Sequence, residues 1–213
     1  MNKKPSTNTS TCHSERSRRI SVTNQKQNLV ILVSGSGSNL QRIIDCIGSG
    51  EIPNAQISLV VADRNCFALE RASNHFINHI LIPRGENFSD ELQKIIPKNT
   101  DLIVLAGFLS ILEPDFCETF KGKIINIHPA LLPKFGGKGM WGNRVHKAVI
   151  EAGETESGAT VHFVTSGIDE GEIILQGKVS LDKNETPETL SEKIHKIEHD
   201  IFPKVIAKVI NKQ

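Results

Sequence analysis

Leu29-Val30-Ile31-Leu32-Val33-Ser34-Gly35-Ser36-Gly37-Ser38-Asn39 is the stretch on which the fold turns. A short all-apolar run reads as a strand buried on both faces, because a strand with one wet face would alternate. Serines and glycines then turn the chain. Beyond them Leu40, Ile43, Ile44 and Ile47 recur at i, i+3, i+4 and i+7, the apolar stripe of a helix. Free N–H groups and the helix dipole at such a turn favour an anion. Gly37, Ser38 and Asn39 are the candidate ligands, the last two adding side-chain donors. No Gly-Lys-Ser/Thr follows, and the third glycine of the dinucleotide fingerprint is missing. Asp63 stands about where that fingerprint places its acid, but in a polar Ala-Asp-Arg-Asn turn. A phosphate monoester is the ligand that this loop suits.

The strand–helix rhythm continues outward. Gly48 and Gly50 are expected to end the first helix. Strands are predicted at Ile57–Val61, His79–Ile82, Leu102–Ala106 and Ile124–Ile127, with helices at Ala68–His75, Asp90–Ile96 and Pro114–Thr119. This pattern predicts one α/β domain over residues 28–213, with a mostly parallel, doubly wound, Rossmann-like sheet flanked by helices. After Pro133 comes a glycine-rich loop, Phe135-Gly-Gly-Lys-Gly-Met-Trp-Gly142. A helix at Arg144–Ala152 and strands at Thr160–Val164 and Glu172–Leu181 follow. Thr186-Pro187 forms an N-cap and N1 pair that opens a helix through Glu198. Pro203 is expected to break or kink it.

Composition bounds the function. Of 213 residues, 38% are apolar and 23% charged, as in a globular protein with a full core. No apolar run approaches the roughly 20 residues of a membrane helix. Cys12, Cys46, Cys66 and Cys117 are scattered without a C-x-x-C pair, which suits reduced thiols in the cytoplasm. Residues 1–27 hold six cations against one acid, leaving nineteen cations and twenty-three acids for the rest. An acidic body with no Tyr and one Trp is a poor nucleic-acid platform. The segment 1–27, polar and nearly without apolar residues, is expected to be a disordered extension. It lacks a secretory signal's apolar stretch.

Chemistry concentrates in Asn126-Ile-His128-Pro129-Ala-Leu-Leu-Pro133 and Gly167-Ile-Asp169-Glu-Gly171. Asn126 and His128 are two apart, so on a strand both side chains leave one face. Pro129 has no N–H and stops the ladder, opening the strand end to a loop. An amide donor, an imidazole and a carboxylate can share one reacting carbonyl. His195-Lys-Ile-Glu198-His199 fits an H-x-x-E-H zinc pattern, yet no downstream acidic helix supplies a third ligand. That stripe reads as solvated or substrate-facing, with Glu198 as a hydroxyl or amine acceptor. His75 and His79 read as surface residues, and His162 as a satisfied, partly buried strand residue. His146 fits either a solvated residue or a site residue.

The glycine-serine loop, Val-Leu-Ala-Gly-Phe at 104–108, the 126–133 motif, Gly-Ala-Thr-Val-His-Phe-Val at 158–164 and Ile-Asp-Glu-Gly at 168–171 occur in that order. Together they resemble the folate-dependent phosphoribosylglycinamide formyltransferases of purine synthesis, over roughly 28–210. The resemblance implies formyl transfer from 10-formyltetrahydrofolate, a co-substrate, to the amine of glycinamide ribonucleotide, without a metal. It implies Asn126, His128 and Asp169 as the catalytic set, and Gly37, Ser38 and Asn39 on the phosphate. Leu109, Ser110, Ile111 and Leu112, with Asn126 and Thr165, Ser166, Gly167, Ile168 and Asp169, would line the folate pocket. His195, Lys196, Ile197 and Glu198 would approach the ribonucleotide. Small molecules, rather than membranes or nucleic acids, are the expected partners of a monomer or weak homodimer. The family's folate-contacting Arg has no clear counterpart, since only Arg84 lies near that segment. Alternatives are formyltetrahydrofolate deformylase, which adds a regulatory domain before this one, and a catalytically silent nucleotide-binding module, which has no need of Asn126, His128 and Asp169.

Overall fold

The computed structural model describes Met1 and residues 26–212. All but Met1, Lys26 and Gln27 of the expected disordered extension lies outside the described residues. In chain order the elements are β1 (Gln27–Val33), α1 (Ser38–Ser49), β2 (Ala55–Ala62), α2 (Phe67–Asn74), β3 (His79–Leu81), α3 (Phe88–Ile95) and β4 (Leu102–Leu105). Then come α4 (Pro114–Thr119), β5 (Ile124–His128), α5 (Asn143–Glu151), β6 (Glu156–Phe163), β7 (Ile173–Ser180) and α6 (Pro187–Ile210). The sheet order is β3-β2-β1-β4-β5-β6-β7, with β1 to β5 parallel and β6 and β7 antiparallel to their neighbours.

Central β1 explains the opening run of the sequence. Leu29 to Val33 are all fully buried, and alternate residues serve two cores. Leu29, Ile31 and Val33 pack in the layer of α1, α2, α5 and α6. Val30 and Leu32 pack with Phe88 and Leu92 of α3 and Phe116 of α4. Each such side chain contributes roughly 1.5–3 kcal/mol on full burial, so two apolar faces hold this strand at the centre.

Most boundaries fall within one or two residues of expectation, and three places show a physical reason for where an element begins or ends. The first helix runs through Gly48 and ends at Gly50, whose left-handed backbone lets its N–H reach the Ile47 carbonyl. The strand expected to start at Thr160 begins at Glu156. Its Gly158 looks like a strand breaker, but a Cβ there would lie 1.9 Å from the Gly177 carbonyl oxygen of β7. Close backbone approach, not weak pairing, requires that glycine.

The last helix continues unbroken past Pro203 to Ile210. Proline removes the N–H that would bond the carbonyl four residues back, at a cost of about 3 kcal/mol in an ordinary helix. Here the freed His199 carbonyl accepts instead from Arg42 Nε of α1, at 3.1 Å. Buried Phe202, Pro203, Val205 and Ile206 anchor the far side of the gap. Arg42→Ala should therefore cost about 1–2 kcal/mol in chemical denaturation, the value of losing one partner of a buried bond. In a Pro203→Ala background the loss should shrink, because an alanine at that position supplies an N–H to the His199 carbonyl. Equal losses in both backgrounds would show that Arg42 does not stabilise this carbonyl.

Candidate active site

A cavity of about 460 Å³ opens beyond the carboxyl ends of β1, β4 and β5, where ligand crevices form in such sheets. Residues 35–39, 105–112, 126–129, 137–142 and 164–169 line it, together with His146, His162, Ser191, His195 and Glu198.

β5 ends at His128, before Pro129. Ile125 and Ile127 enter the core on one face, leaving Asn126 and His128 together on the other. The β6–β7 connection, closed by Phe163 N–H to the Glu172 carbonyl, brings Asp169 against that face. Asp169 has a left-handed φ of 59°, a conformation that Asp tolerates better than most residues. Its Oδ2 lies 3.5 Å from His128 Nδ1 and accepts the Gly137 N–H at 3.0 Å. Its Oδ1 accepts from Asn126 Nδ2 at 3.5 Å. Asp169 thus touches both of the β5 residues singled out in the sequence.

A fourth stands with them. His162 pairs with Asn126 across the antiparallel ladder, and directly opposite residues share a face. Its Nδ1 faces the Phe163 carbonyl at 2.9 Å, which assigns a proton to Nδ1 and leaves Nε2 to accept from Asn126 Nδ2 at 3.2 Å. Nε2 is 3.6 Å from Asp169 Oδ1. The sequence showed a strand histidine but not the register that puts it opposite Asn126.

His128 Nε2 sits 2.8 Å from the Phe135 carbonyl, an acceptor, so the neutral ring carries its proton there and leaves Nδ1 bare. Burial pushes its pKa below the ordinary value, and the Asp169 charge and the Phe135 bond only partly offset this. For Asp169 burial alone would raise the pKa. The neighbouring rings of His162 and His128 and the Gly137 N–H outweigh it and hold the carboxyl below its usual value. The result is a neutral imidazole beside an ionised carboxylate.

At the other end of the cavity Gly37 adopts φ 72°, and a Cβ there would meet Ala68 Cβ at 2.7 Å, so only glycine makes this turn without strain. The first N–H groups of α1, from Ser38 onward, have no intrahelical partner and face outward, as at any helix start. Asn39 departs from the expectation. Its side chain is buried, and Nδ2 donates to Glu198 Oε2 at 3.0 Å. Only its backbone N–H remains for an anion. Burial pushes the Glu198 carboxyl up, and the Asn39 bond only partly opposes this. His195 shares the pocket-facing side of α6 with Glu198, three residues on. Lys196 and Ile197 do not line the cavity, because Lys196 is exposed and Ile197 packs over Gly177 of β7. The His195 and His199 rings stack at 6.4 Å, while Glu198 turns to Asn39. Among the described residues no group of three His, Cys, Asp or Glu is arranged to hold a metal.

The third wing is apolar, walled by Leu105, Leu112, Cys117, Val164 and Ile168, with Leu109 and Ile111 exposed at its mouth. Leu109 N–H donates to Ser34 Oγ at 2.8 Å. Ser110 Oγ donates to Asp63 Oδ2 at 2.7 Å, and that buried carboxylate also pairs with Arg64 and Arg84. Asp63 therefore fixes the loop after β4 instead of meeting a ribose.

A model of the formyl transferase family matches residues 27–206. The phosphoribosylglycinamide formyltransferase of Haemophilus influenzae is 40% identical over 186 residues, 84% of this chain and 84% of that protein. The chloroplastic phosphoribosylglycinamide formyltransferase of Arabidopsis thaliana is 34% identical over 192 residues, 87% of this chain and 66% of its own length. This chain spans only 14% of the trifunctional purine biosynthetic protein adenosine-3 of Drosophila melanogaster, at 36% identity over 89% of this chain. The crystal structure of glycinamide ribonucleotide transformylase 1 from Symbiobacterium toebii matches with a TM-score of 0.81 at 33% identity, covering 88% of this chain and 89% of that one. The chain belongs to the formyl transferase family, as a relative of its phosphoribosylglycinamide formyltransferases.

Proposed function

We propose that this protein transfers the formyl group of 10-formyltetrahydrofolate to the primary amine of glycinamide ribonucleotide, a step of purine biosynthesis, in the cytoplasm. The observation that carries the reading is one continuous cavity joining the start of α1 at Gly37 and Ser38 to Asn126, His128 and Asp169. A phosphate held at one end places the far end of its ligand at the groups suited to acyl transfer. The apolar wing fits a flat heteroaromatic ring, and folate supplies one. The partners are these two small molecules, with the chain a monomer or weak homodimer.

In this reading Gly37, Ser38 and the Asn39 N–H hold the phosphate, and Glu198 and His195 meet the sugar. Leu109 to Leu112 and Thr165 to Asp169 embrace the folate. The amine adds to the formyl carbon, and negative charge grows on the formyl oxygen. Asn126 Nδ2 can donate to that oxygen by giving up its long, 3.5 Å bond to Asp169 Oδ1. His128 starts neutral, so it can take the proton that the amine loses. The new anion favours the imidazolium, and Asp169 steadies it. His128 then returns the proton to the folate nitrogen as the carbon–nitrogen bond breaks. One N–C bond forms, one breaks, and the proton passes between them.

An assay of formyl transfer with a no-acceptor control tests the reading. Turnover should require glycinamide ribonucleotide. Equal folate turnover without acceptor would assign a hydrolase instead. Gly37→Val should raise KM for the ribonucleotide about tenfold or more, at least ~1.4 kcal/mol, and leave the folate KM unchanged. Matching rises in both would detach the loop from the phosphate.

The depressed His128 pKa also sets the pH profile. Only the neutral ring accepts a proton, so activity should hold at neutral pH and fall along an acid limb below the ordinary histidine value of about 6.5. Asp169 raises the His128 pKa, so Asp169→Asn should move that limb to lower pH and cut kcat by orders of magnitude, with ribonucleotide binding preserved. Combined with His128→Ala it should be little worse than either change alone. Multiplicative losses would mean that the two side chains work separately.

A further inference from the structure

One pocket-lining imidazole has no task in this mechanism. His146 sits in the first turn of α5, with Val145 and Val149 of the same helix in the core. It is 3% exposed and lines the cavity. Its Nδ1 is sealed from solvent and has no hydrogen-bond partner among the described residues. A histidine kept for packing normally finds a partner for each ring nitrogen. Here the free edge, carrying Nε2, is the one on the cavity.

Chemistry fixes the form of this ring. Burial first, then the charges of His195 on α6 and His128 on β5, push its pKa down to about 4. It is therefore neutral wherever the protein is folded near physiological pH. Of the two neutral forms, the one with a proton on Nδ1 would strand a buried N–H, a rare arrangement. The proton belongs on Nε2, which makes His146 a neutral donor pointing into the cavity. His146 lines the same cavity as His128 of the acyl-transfer end and His195 of the ribonucleotide end, so the ring is placed to meet a ligand that joins the two.

We infer that His146 donates its Nε2–H to the amide carbonyl oxygen of the acceptor's glycinamide arm, and so sets specificity for an α-amino amide and aims its amine at the formyl carbon. The inference rests on the proposed function, since that reading supplies the acceptor. A neutral donor suits this position. It binds a carbonyl without placing a second cation beside the amine, which must stay unprotonated to react.

The test compares two acceptors on the full chain: glycinamide ribonucleotide, and a carbocyclic analogue with a methylene in place of the amide carbonyl. His146→Phe keeps an aromatic ring and removes the donor. It should lower kcat/KM for the amide acceptor about five- to thirtyfold, the worth of one neutral hydrogen bond of ~1–2 kcal/mol. The folate KM and turnover of the methylene analogue should change less than about twofold. His146→Gln can place an N–H where Nε2 stood and should recover most of the loss. Equal losses on both acceptors, or no recovery with Gln, would overturn the inference. Should the Phe variant unfold on a thermal scan, wild type and the Gln variant decide: both must prefer the amide acceptor by similar factors, and a Gln variant blind to the carbonyl overturns it. Wild-type protein that transfers no formyl group to the ribonucleotide removes the underlying reading and this inference together. Wild-type turnover with the failures just named removes this inference alone.

Discussion

A carboxylate that stays charged with only 11% of its side chain exposed is the constraint on which the site depends. Burying an unpaired ion costs several kcal/mol even after relaxation, and each hydrogen bond to a charged group returns about 1.5–3 kcal/mol. One partner is not enough, so Asp169 needs several. They come from different parts of the chain: Asn126 Nδ2 on β5 and the Gly137 N–H of the glycine-rich loop donate to it, and the rings of His128 on β5 and His162 on β6 stand 3.5 and 3.6 Å away, where a protonated ring pairs with it. The antiparallel register of β5 with β6 brings the side-chain partners together. A slip of one residue would send Asn126 and His128 to opposite faces from His162, and the carboxylate would lose its charge. Fold and chemistry are thus specified by the same pairing.

The cavity holds a second buried carboxyl with the opposite fate. Glu198 has one amide donor, Asn39, and burial wins, so its pKa rises. Asp169, with its several partners, is held down. Two carboxyls of ordinary chemistry are driven apart by their neighbours, a recurring sign of an active site. The consequence is spatial. Negative charge is kept at the acyl-transfer end, where an imidazolium needs support. At the ribonucleotide end burial favours the neutral form of Glu198, which lessens its opposition to the phosphate that the start of α1 is shaped to attract.

What the sequence discloses follows from range. The apolar run at Leu29–Val33 and the stripe from Leu40 to Ile47 are local patterns, and both appear as read. So does the shared face of Asn126 and His128, because strand parity needs only two residues. What stays hidden depends on distant partners. Gly158 looks like a break until Gly177 is placed against it. Pro203 looks like an end until Arg42, on another helix, takes the stranded carbonyl. Asn39 looks like a free donor until Glu198, 159 residues away, claims it. His162 looks ordinary until register sets it opposite Asn126. In each case a local rule is correct about the cost, and a long-range contact supplies the compensation.

The glycine-rich loop shows how far this coupling reaches. Two atoms of its backbone set the protonation of the site: the Phe135 carbonyl fixes the proton of His128 on Nε2, and the Gly137 N–H helps to keep Asp169 ionised. The same loop carries Met140 and Trp141 into the cavity wall, with the Arg144 guanidinium 4.8 Å from the Trp141 ring centroid. Loop position, side-chain ionisation and cavity shape are therefore not independent variables. A shift of less than an ångström in the Phe135 carbonyl weakens the bond that selects the bare Nδ1, because such bonds fall off steeply with distance and angle. The loop's glycines make it a conformationally permissive part of the site, yet its backbone settles which nitrogen of His128 is the base. Residues that touch neither substrate can then govern the rate, by holding that carbonyl and that N–H in place.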